Sequence, residues 1–477
     1  MKIKKILCLL ICIVLCGCNT QQSESLQIQG QVLLCGEGME GVCVQLQHPQ
    51  YGVVDTYTDA LGIYRFEQAW ISEYTITPFV ENCEIVPVQR NVSVYDNTIV
   101  SDFIVRPLWE KLYGYEYQDV VKDMAKTLRC GYIYAGSTSS TGSYGAFVMR
   151  VNALGQQLWY KTYWQNLYMA ANGIVPLDDG SAVIAGCKAG STTAGDIWIA
   201  KIDGNGDIMW QKTYGGNQWD EAFSIVRVDT GADKGFLIAA TTESCGNGRA
   251  DIYAMKCDDN GNIAGGLFDA LFGGEYNDGV HVITGCKDGG FLMAGFIEYE
   301  TQVRADSRVI KINSLRQHVW SKEYNIDTYD IATDVKELED GDIVVCGVAY
   351  AIKANERIWI SRLTGDGSAE RWKKELSIGK SCGIYSMAFD AQGNIICTGY
   401  TIPEGRDNKD LLLLGLTGDG EVEWMQVYGT DNQNDDTGRK VVPAQDGGLA
   451  VCGNVMVGEA GTDIYCLKLN DKGLLIH

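Results

Sequence analysis

Carboxylates and aromatic side chains recur next to each other along the second part of the chain. Trp219 directly precedes Asp220, and Tyr329 directly precedes Asp330. Paired carboxylates are the catalytic groups of most glycoside hydrolases, whereas aromatic rings beside polar groups suit the binding of sugar rings. The same Asp position recurs along the chain, and a catalytic group is expected to break such a repeat. The pattern therefore favours a structural role for the recurring carboxylates over catalysis.

Candidate ligand-binding residues lie in and just after the connections that follow each aromatic-rich strand. If the repeats form a ring, these connections gather at one face of it, which would bring their side chains together. The candidate ligand-binding residues are Tyr168, Trp219, Asp220, Tyr276, Tyr329 and Asp330. For the aromatic members, packing between neighbouring repeats is the alternative role.

Motifs for metal binding and for catalysis are weak. Asp203-Gly-Asn-Gly-Asp207 resembles the start of a calcium loop, but the position that needs a bidentate Glu holds Tyr214. The same segment recurs as a hairpin turn, and neither His281 nor His318 lies in a recognisable motif. We therefore expect no catalytic residue, no metal and no cofactor, and we take the protein to be non-enzymatic.

The composition limits the class of protein and of partner. The chain has 477 residues, 46% of them hydrophobic, which suits a globular protein of two or more domains. With 61 acidic and 39 basic residues its net charge is −22. Phosphates would repel such a surface, so nucleic acid is not an expected partner.

The N-terminus has the layout of an export signal. Lys2, Lys4 and Lys5 precede an apolar run of about 11 residues, which is too short to cross a bilayer as a helix. Leu15-Cys16-Gly17-Cys18 follows, and it resembles a bacterial lipobox. The resemblance implies a signal peptide over 1–17, a lipid on Cys18 and a linker over 18–26. The alternative is a secreted protein in which Cys18 is unmodified.

Residues 27–106 predict a small antiparallel β-sandwich, because short apolar and polar alternations are separated by turn residues. Its pattern includes Gly30-x-Val32 and Thr58-Asp59-x-x-Gly62-x-Tyr64-x-Phe66. This pattern resembles the carboxypeptidase regulatory-like (transthyretin-like) domain, which implies an accessory or spacer module without chemistry of its own. Spacing leaves the pairing of Cys35, Cys43 and Cys83 open, with a Cys35–Cys43 disulfide and unpaired thiols as alternatives.

Residues 107–477 contain a repeat of about 50 residues, the period of a four-stranded propeller blade. One aromatic position recurs at Trp109, Trp159, Trp210, Phe268, Trp320, Trp372 and Trp424. The first aromatic strand has no three strands before it, and the last three strands have no aromatic strand after them. We therefore predict an all-β fold with a seven-bladed β-propeller, closed by an N-terminal strand that completes the last blade.

The glycine turns and the Trp-x-Lys-x-Tyr-Gly-Gly pattern resemble exported bacterial and archaeal propeller repeats, and distantly the quinoprotein propellers. The resemblance implies a fold more than an activity. We expect a lipid-anchored binding or scaffold protein of the cell envelope, attached to the outer membrane and facing the periplasm or the exterior. Its propeller face would recognise a glycan or a protein. A carbohydrate-active hydrolase or lyase, a quinone-type dehydrogenase and a structural part of an envelope assembly are the alternatives.

Overall fold

The computed structural model describes residues 26–114, 118–140, 143–164, 168–189, 194–229, 234–263, 265–300, 304–350, 355–429, 434–457 and 461–475. Cys18 lies outside these ranges. The described residues form two compact units. The first comprises the residues up to Val32, Gly38–Phe79 and Pro87–Phe103; the second comprises Leu33–Glu37, Val80–Val86 and the residues from Ile104 on.

The described chain is all-β apart from one short 3-10 helix, Leu128–Cys130. None of the helical structure among the described residues is long and apolar enough to cross a membrane. The first ten strands are β1 (Leu26–Leu34), β2 (Glu37–Gly38), β3 (Cys43–His48), β4 (Gly52–Tyr57), β5 (Ile63–Ala69), β6 (Ser72–Phe79), β7 (Cys83–Val86), β8 (Arg90–Val94), β9 (Thr98–Ile99) and β10 (Phe103–Pro107).

Two sets of paired strands make up the first unit. Strand β1 pairs with β5 and β9, and a separate sheet has the order β4-β3-β6-β8. Burial alternates along β1, where Ile28 and Val32 are fully buried. This alternation follows from the period of two residues in a strand with one covered face.

In the second unit, a four-stranded antiparallel meander recurs. The meander strands are β12 (Asp119–Lys126), β13 (Tyr132–Ser140), β14 (Ser143–Val151), β15 (Gln157–Tyr163); β16 (Met169–Pro176), β17 (Ala182–Ala189), β18 (Gly195–Ile202), β19 (Ile208–Tyr214); β20 (Asp220–Val228), β21 (Gly235–Thr242), β22 (Asp251–Cys257), β23 (Leu271–Phe272); β24 (Asp278–Gly285), β25 (Phe291–Glu300), β26 (Arg304–Ile312), β27 (His318–Tyr324); β28 (Tyr329–Glu337), β29 (Ile343–Tyr350), β30 (Arg357–Leu363), β31 (Glu370–Leu376); and β32 (Ser381–Phe389), β33 (Ile395–Ile402), β34 (Asp410–Leu416), β35 (Val422–Tyr428). Four-stranded sheets of this kind are the blades of β-propellers.

The remaining sheet joins strands from the two ends of the described repeats. It has the order β11-β38-β37-β36, with β11 (Trp109–Tyr113), β36 (Asp436–Pro443), β37 (Leu449–Val457) and β38 (Gly461–Leu469). Trp109 lies opposite Lys468, and Tyr113 lies opposite Ile464. The predicted pairing of the early aromatic strand with the last strand of the repeats is thus observed.

The first strands of the meanders contact one another in chain order, from β12 through β16, β20, β24, β28 and β32 to β36, and β36 also contacts β12. Beside this last contact, the side chain of Asn454 on β37 accepts a hydrogen bond from Val121 N at 2.8 Å and donates one to Val121 O at 3.3 Å. The contacts between first strands therefore form a closed series.

Neighbouring meanders interlock through an aromatic ring and a glycine. The ring of Trp372, for example, lies against Gly420 in the hairpin of the following meander, and a Cβ on Gly420 would come within 2.8 Å of it. Gly420 also has φ +80°, so its lack of a side chain serves both the turn and the packing. The same contact joins Trp109 to Gly155, Trp159 to Gly206, Trp210 to Gly261, Trp320 to Gly367 and Trp424 to Gly473.

One meander departs from this rule. Phe268, predicted to lie in an aromatic strand, instead has φ +60° and precedes the two-residue strand β23. The corresponding hairpin position of the next meander holds Arg316, also with positive φ. Arg316 forms an ion pair with Asp269, at 2.8 Å between Nη2 and Oδ2. The missing tryptophan and the missing glycine thus fall in the same interlock, where an ion pair takes the place of the ring.

The pairing of Cys35 differs from the pairing considered in the sequence. Cys35 forms a disulfide with Cys130, and their Cα atoms lie 5.9 Å apart. Cys43 and Cys83 are free thiols. Both bonded cysteines have positive φ, at 58° and 54°, so each lies in a tight turn whose geometry sequence spacing does not reveal.

Candidate functional site

Each first strand of the meanders contains a β-bulge at the same place. The strand pairings skip one residue there, for example between Val121 and Asp123 and between Gly438 and Lys440. A bulge leaves one residue outside the ladder and redirects its side chain. The bulged residues are Lys122, Asn172, Phe223, His281, Thr333, Tyr385 and Arg439. We call this set the lumen ring.

Members of the lumen ring contact neighbouring first strands. Asn172 donates to Ala222 O at 2.8 Å, and Thr333 donates to Ile384 O at 2.8 Å. Lys122 and His281 are exposed to solvent, yet desolvation by the surrounding protein lowers the pKa of both, that of His281 to about 4. Side chains that water can reach but that are largely surrounded by protein are expected in a narrow, water-filled space. We infer that the first strands enclose such a space.

One side of the lumen ring is aromatic. The ring centroids of Phe223 and His281 lie 6.4 Å apart, and those of His281 and Phe296 lie 6.0 Å apart. Phe296 is 6.5 Å from Tyr329, which is 6.0 Å from Tyr350. Because His281 is neutral near pH 7, this row is an apolar surface with polar edges.

The other side of the lumen ring is cationic. The guanidinium of Arg439 lies 4.5 Å from the ring centroid of Tyr385. Desolvation lowers the pKa of Lys122, the charge of Arg439 lowers it further, and Glu221 opposes the shift. Among the described residues neither cation forms an ion pair, and Nε of Arg439 is buried without a hydrogen-bond partner. Two positive charges without an ion pair to a described residue therefore lie close together in a strongly acidic protein.

The next position along the first strands holds an ion pair that is fully engaged. Lys440 Nζ lies 3.1 Å from Asp123 Oδ1, while Asp123 Oδ2 accepts a hydrogen bond from Ile174 N at 3.0 Å. Desolvation opposes the charge on Lys440, but Asp123 and Asp334 outweigh it and raise the pKa of the amine. Asp334 in turn accepts from Met387 N at 2.9 Å. These contacts give the carboxylates a structural role between first strands.

Two of the predicted aromatic residues lie together beside the lumen ring. The ring centroids of Tyr168 and Trp219 are 5.7 Å apart, and Tyr144 is 6.1 Å from Tyr168. We call Tyr144, Tyr168 and Trp219 the aromatic cluster. Nε1 of Trp219 donates to Glu221 at 3.0 Å, and Glu221 also accepts from Asn172 at 2.8 Å. Glu221 therefore connects the aromatic cluster to the lumen ring.

The other predicted aromatic residues lie elsewhere. Tyr329 belongs to the row that runs from Phe296 to Tyr350. Tyr276 is half-buried, and none of the ring contacts found among the described residues joins it to either group. The structure thus divides the predicted aromatic set, and its contact with a ligand stays a prediction.

The two predicted carboxylates are buried and bonded within the protein. Asp220 accepts hydrogen bonds from Gly216 N at 2.8 Å and from Ser244 Oγ at 2.7 Å. Asp330 accepts from Ile326 N at 2.6 Å and Asp327 N at 2.8 Å, while desolvation raises its pKa. These bonds fix the turn before each first strand, as expected for a recurring framework residue. Ligand binding by Asp220 and Asp330 is untested, and their burial does not favour it.

The lumen ring itself is not apparent from the sequence pattern alone. Each of its members stands three residues after the position that holds the recurring Asp, as Lys122 follows Asp119 and Arg439 follows Asp436. In the aligned repeats this column contains Lys, Asn, Phe, His, Thr, Tyr and Arg, whereas the other column holds Asp in five of the seven repeats. The variable column was visible in the sequence, but only the bulge reveals where its side chains lie.

Two further groups of residues resemble functional sites, one a serine nucleophile and the other a metal site, but their side chains are engaged within the protein. Gly379-Lys-Ser-Cys-Gly383 matches the Gly-x-Ser-x-Gly pattern of serine hydrolases, but Ser381 begins a strand and donates to Glu356 at 2.9 Å. That pattern requires a serine on a strand-to-helix turn. Ligand atoms of Cys35, Cys130 and Asp446 lie within 4.8 Å of one another, yet the two sulfurs are joined as a disulfide.

No protein-family model matches the sequence, and no curated protein matches it. Solved structures similar to the chain include the WD40 domain of Neurospora crassa Pan2 (TM-score 0.45, 8% identity, covering 74% of this chain and 90% of that one). Others are Sqt1 from Chaetomium thermophilum (TM-score 0.43, 11% identity, 77% and 88%) and YCF48 bound to D1 peptide (TM-score 0.41, 12% identity, 75% and 94%). Similarity at this level says nothing about function.

Proposed function

We propose that the protein is a lipid-anchored binding protein of a bacterial cell envelope. In this proposal Cys18 carries the lipid, residues 27–106 form a regulatory-like sandwich that acts as a spacer, and residues 107–477 form a seven-bladed, closed β-propeller. The pairing of β11 with β38 and the contact of β36 with β12 support closure. The outer membrane is the proposed site of attachment.

The binding role rests on one observation: the lumen ring breaks the symmetry of the repeat. Positions that stabilise the fold, such as the hairpin glycines that face tryptophans, hold nearly the same residue in each meander. The lumen ring holds seven different residue types at equivalent places. Because packing between repeats does not require this variety, we assign it to recognition of an unsymmetrical ligand.

A segment of another protein fits this surface better than a flat sugar chain. Neighbouring rings in the aromatic cluster are tilted by 52° and 49°, so they form no flat platform for stacking of sugar rings. Tyr, Trp and Arg are the residues enriched at the centres of protein interfaces. Tyr144 is 50% exposed and offers the most accessible ring of the cluster.

An enzyme remains the second candidate, because two carboxylates and a cation do meet at Asp123, Asp334 and Lys440. Their hydrogen bonds to Ile174, Met387 and each other leave no free general acid or base in this arrangement. Glycosidase chemistry needs a protonated and an ionised carboxyl group, each facing substrate. The binding role is therefore the better supported of the two. A structural part in an envelope assembly would use surfaces outside the lumen ring.

Site-specific crosslinking in the native cell tests the binding role. A photoreactive residue at Tyr144 of the anchored, full-length chain should capture one protein, and Trp219→Ala should abolish the capture. The same photoreactive residue at Val422, which is 46% exposed on the outer strand β35, is the matched control and should capture nothing. Binding to a glycan array that depends on Trp219, with no protein captured, would contradict the protein ligand.

The anchor has its own test. The mass of the purified native chain should correspond to a protein that begins at Cys18 and carries acyl chains, and Cys18→Ser should move the protein out of the membrane fraction. A single acyl chain gives only marginal membrane binding, so two or more are expected. A soluble native protein with an unmodified Cys18 would refute the anchor.

A further inference from the structure

We propose that Lys122 and Arg439 form a seat for a carboxylate of the bound protein segment. This inference rests on the proposed function and names the group that the site recognises. The two cations occupy equivalent bulge positions on β12 and β36, which contact each other. Two neighbouring positive charges repel each other, and an anion bound between them would offset that repulsion by attracting both.

A carboxylate acts on this pair of cations, but none of the described residues forms an ion pair with either of them. One residue further along each strand, Lys440 and Asp123 do form an ion pair at 3.1 Å. Glu221 is the acidic group whose charge acts on Lys122, but its carboxylate oxygens accept hydrogen bonds from Asn172 and Trp219. Lys122 and Arg439 are thus left with no ion pair to a described residue.

Arg439 is held in a geometry that suits a carboxylate. Its guanidinium lies 4.5 Å from the ring centroid of Tyr385, and this stacking fixes the plane of the group. Its buried Nε makes no hydrogen bond to a described residue, so the guanidinium keeps a donor without a partner in the fold. A planar fork binds a carboxylate with two parallel hydrogen bonds, and Lys122 adds a point charge.

The depth of the seat favours a peptide over a uronic-acid polysaccharide. Lys122 stands three residues from the start of β12, which corresponds to roughly 10 Å along the strand. In an acidic side chain, or at the C-terminus of an extended peptide, a flexible chain connects the carboxylate to the rest of the ligand, so the carboxylate can reach into a narrow space. In a uronate the carboxylate is attached directly to the bulky sugar ring.

Fluorescence anisotropy with labelled peptides tests the seat. Hexaglutamate should bind the full chain, hexaglutamine with an amidated C-terminus should bind at least about tenfold more weakly, and hexaglutamine with a free C-terminus separates terminal from side-chain recognition. Lys122→Gln and Arg439→Gln should each weaken hexaglutamate binding about tenfold. Lys126→Gln, an exposed cation on the same strand, should leave the affinity unchanged. Thermal melts should show that every variant is folded at the temperature of the binding assay, because neither cation forms an ion pair with a described residue.

Each other outcome is decisive. Unchanged affinity in the double variant K122Q/R439Q, or no binding of either hexaglutamate or oligogalacturonate to the native chain, would overturn the seat. Oligogalacturonate that binds through both cations, while hexaglutamate does not, would uphold a carboxylate seat and overturn the protein ligand.

The first unit carries a group of exposed apolar side chains. Tyr51, Trp70 and Ile71 are 69%, 58% and 68% exposed, and the rings of Tyr51 and Trp70 touch with centroids 5.3 Å apart. We call these three residues the tip. Leu26, the first described residue, pairs with Ala69, directly before the tip. The tip therefore lies beside the place where the chain leads back to Cys18.

We infer that the tip lies in the headgroup region of the membrane that holds the proposed anchor. The chain between Cys18 and Leu26 can extend to at most roughly 28 Å, which keeps this end of the unit near the bilayer. Trp and Tyr prefer the membrane interface, where a ring meets both apolar and polar surroundings. In this position the membrane would cover the exposed apolar surface of the tip.

Quenching of tryptophan fluorescence by brominated phosphatidylcholine tests the tip in vesicles that contain the native acylated protein. Part of the fluorescence should be quenched, and Trp70→Ser should remove this part while the protein stays membrane-bound. Trp164→Ser, which removes a 37% exposed tryptophan of the second unit, is the control and should leave the quenching unchanged. Equal quenching in Trp70→Ser would overturn the tip, and a protein whose mass shows no acyl groups would overturn both anchor and tip.

Discussion

At the scale of single residues, Asp278 shows what a framework carboxylate costs when it is buried. It lies at the start of β24, where desolvation raises its pKa to about 6, against the opposing effects of Gly274 N and Arg308. Between about pH 4 and pH 6 the folded protein therefore holds a proton that the unfolded chain releases. The contribution of this group to stability is fully present below about pH 4 and is lost as the pH rises through 6.

Asp278→Asn removes this pH dependence. The difference in free energy of unfolding between the variant and the native chain should rise in favour of the variant by roughly 1–3 kcal/mol from pH 4 to pH 7. The reason is that buried Asp278 must ionise over this range, whereas asparagine does not. Denaturant unfolding at the two pH values measures the gain. Asp419→Asn, on an exposed hairpin, controls for the loss of one negative charge. An equal gain in both variants would show that the net charge, and not burial, is responsible.

At the scale of elements, the contact between a tryptophan and a hairpin glycine determines how neighbouring meanders pack. Gly420 and Gly405 both have positive φ, at 80° and 78°, so Ala strains the backbone at either place. A Cβ on Gly420 would also collide with Trp372, whereas one on Gly405 would meet no atom within 4 Å. Comparing alanine substitutions at these two glycines therefore separates the free-energy cost of backbone strain from that of the collision with the tryptophan.

Gly420→Ala should lower the free energy of unfolding by about 1–3 kcal/mol more than Gly405→Ala, because overpacking adds to backbone strain. Urea unfolding of the two variants gives this difference directly. Equal losses would mean that the tryptophan moves aside freely and that the interlock contributes no specific packing.

The repeated elements were predictable because their signals are local. A glycine at each hairpin and an aromatic residue near each fourth strand follow from turn geometry and from one recurring contact. Phe268 was misplaced because its partner position holds Arg316, and only the folded chain shows that the two exceptions coincide. The Cys35–Cys130 disulfide was out of reach because it joins turns 95 residues apart in sequence. The lumen ring was missed because a bulge changes where a side chain points without changing the residue pattern.

At the scale of the whole molecule, the order of strands places the start and the end of the repeats in one sheet. Tyr465 and Glu110, hydrogen-bonded to each other, are 355 residues apart in sequence. Without β11 the sheet of β36, β37 and β38 would present an open edge, which is a hazard for aggregation. Closure also brings Arg439 on β36 next to Lys122 on β12, so the proposed carboxylate seat exists only in a closed ring.

Proline in the closing strand tests this arrangement. Lys111 is exposed in the middle of β11, opposite Cys466, and proline there removes a backbone donor and distorts the strand. In Lys111→Pro, the alternate amides of β38 that bond to β11 should exchange with deuterium at least about tenfold faster than in the native chain, although they lie at the far end of the sequence. Lys212→Pro, in the outer strand β19, is the matched control. It should speed exchange in β18 and leave β38 unchanged, because each outer strand protects only its own sheet. Native exchange rates in β38 of the Lys111→Pro variant would refute closure by β11, and the carboxylate seat would lose its structural basis with it.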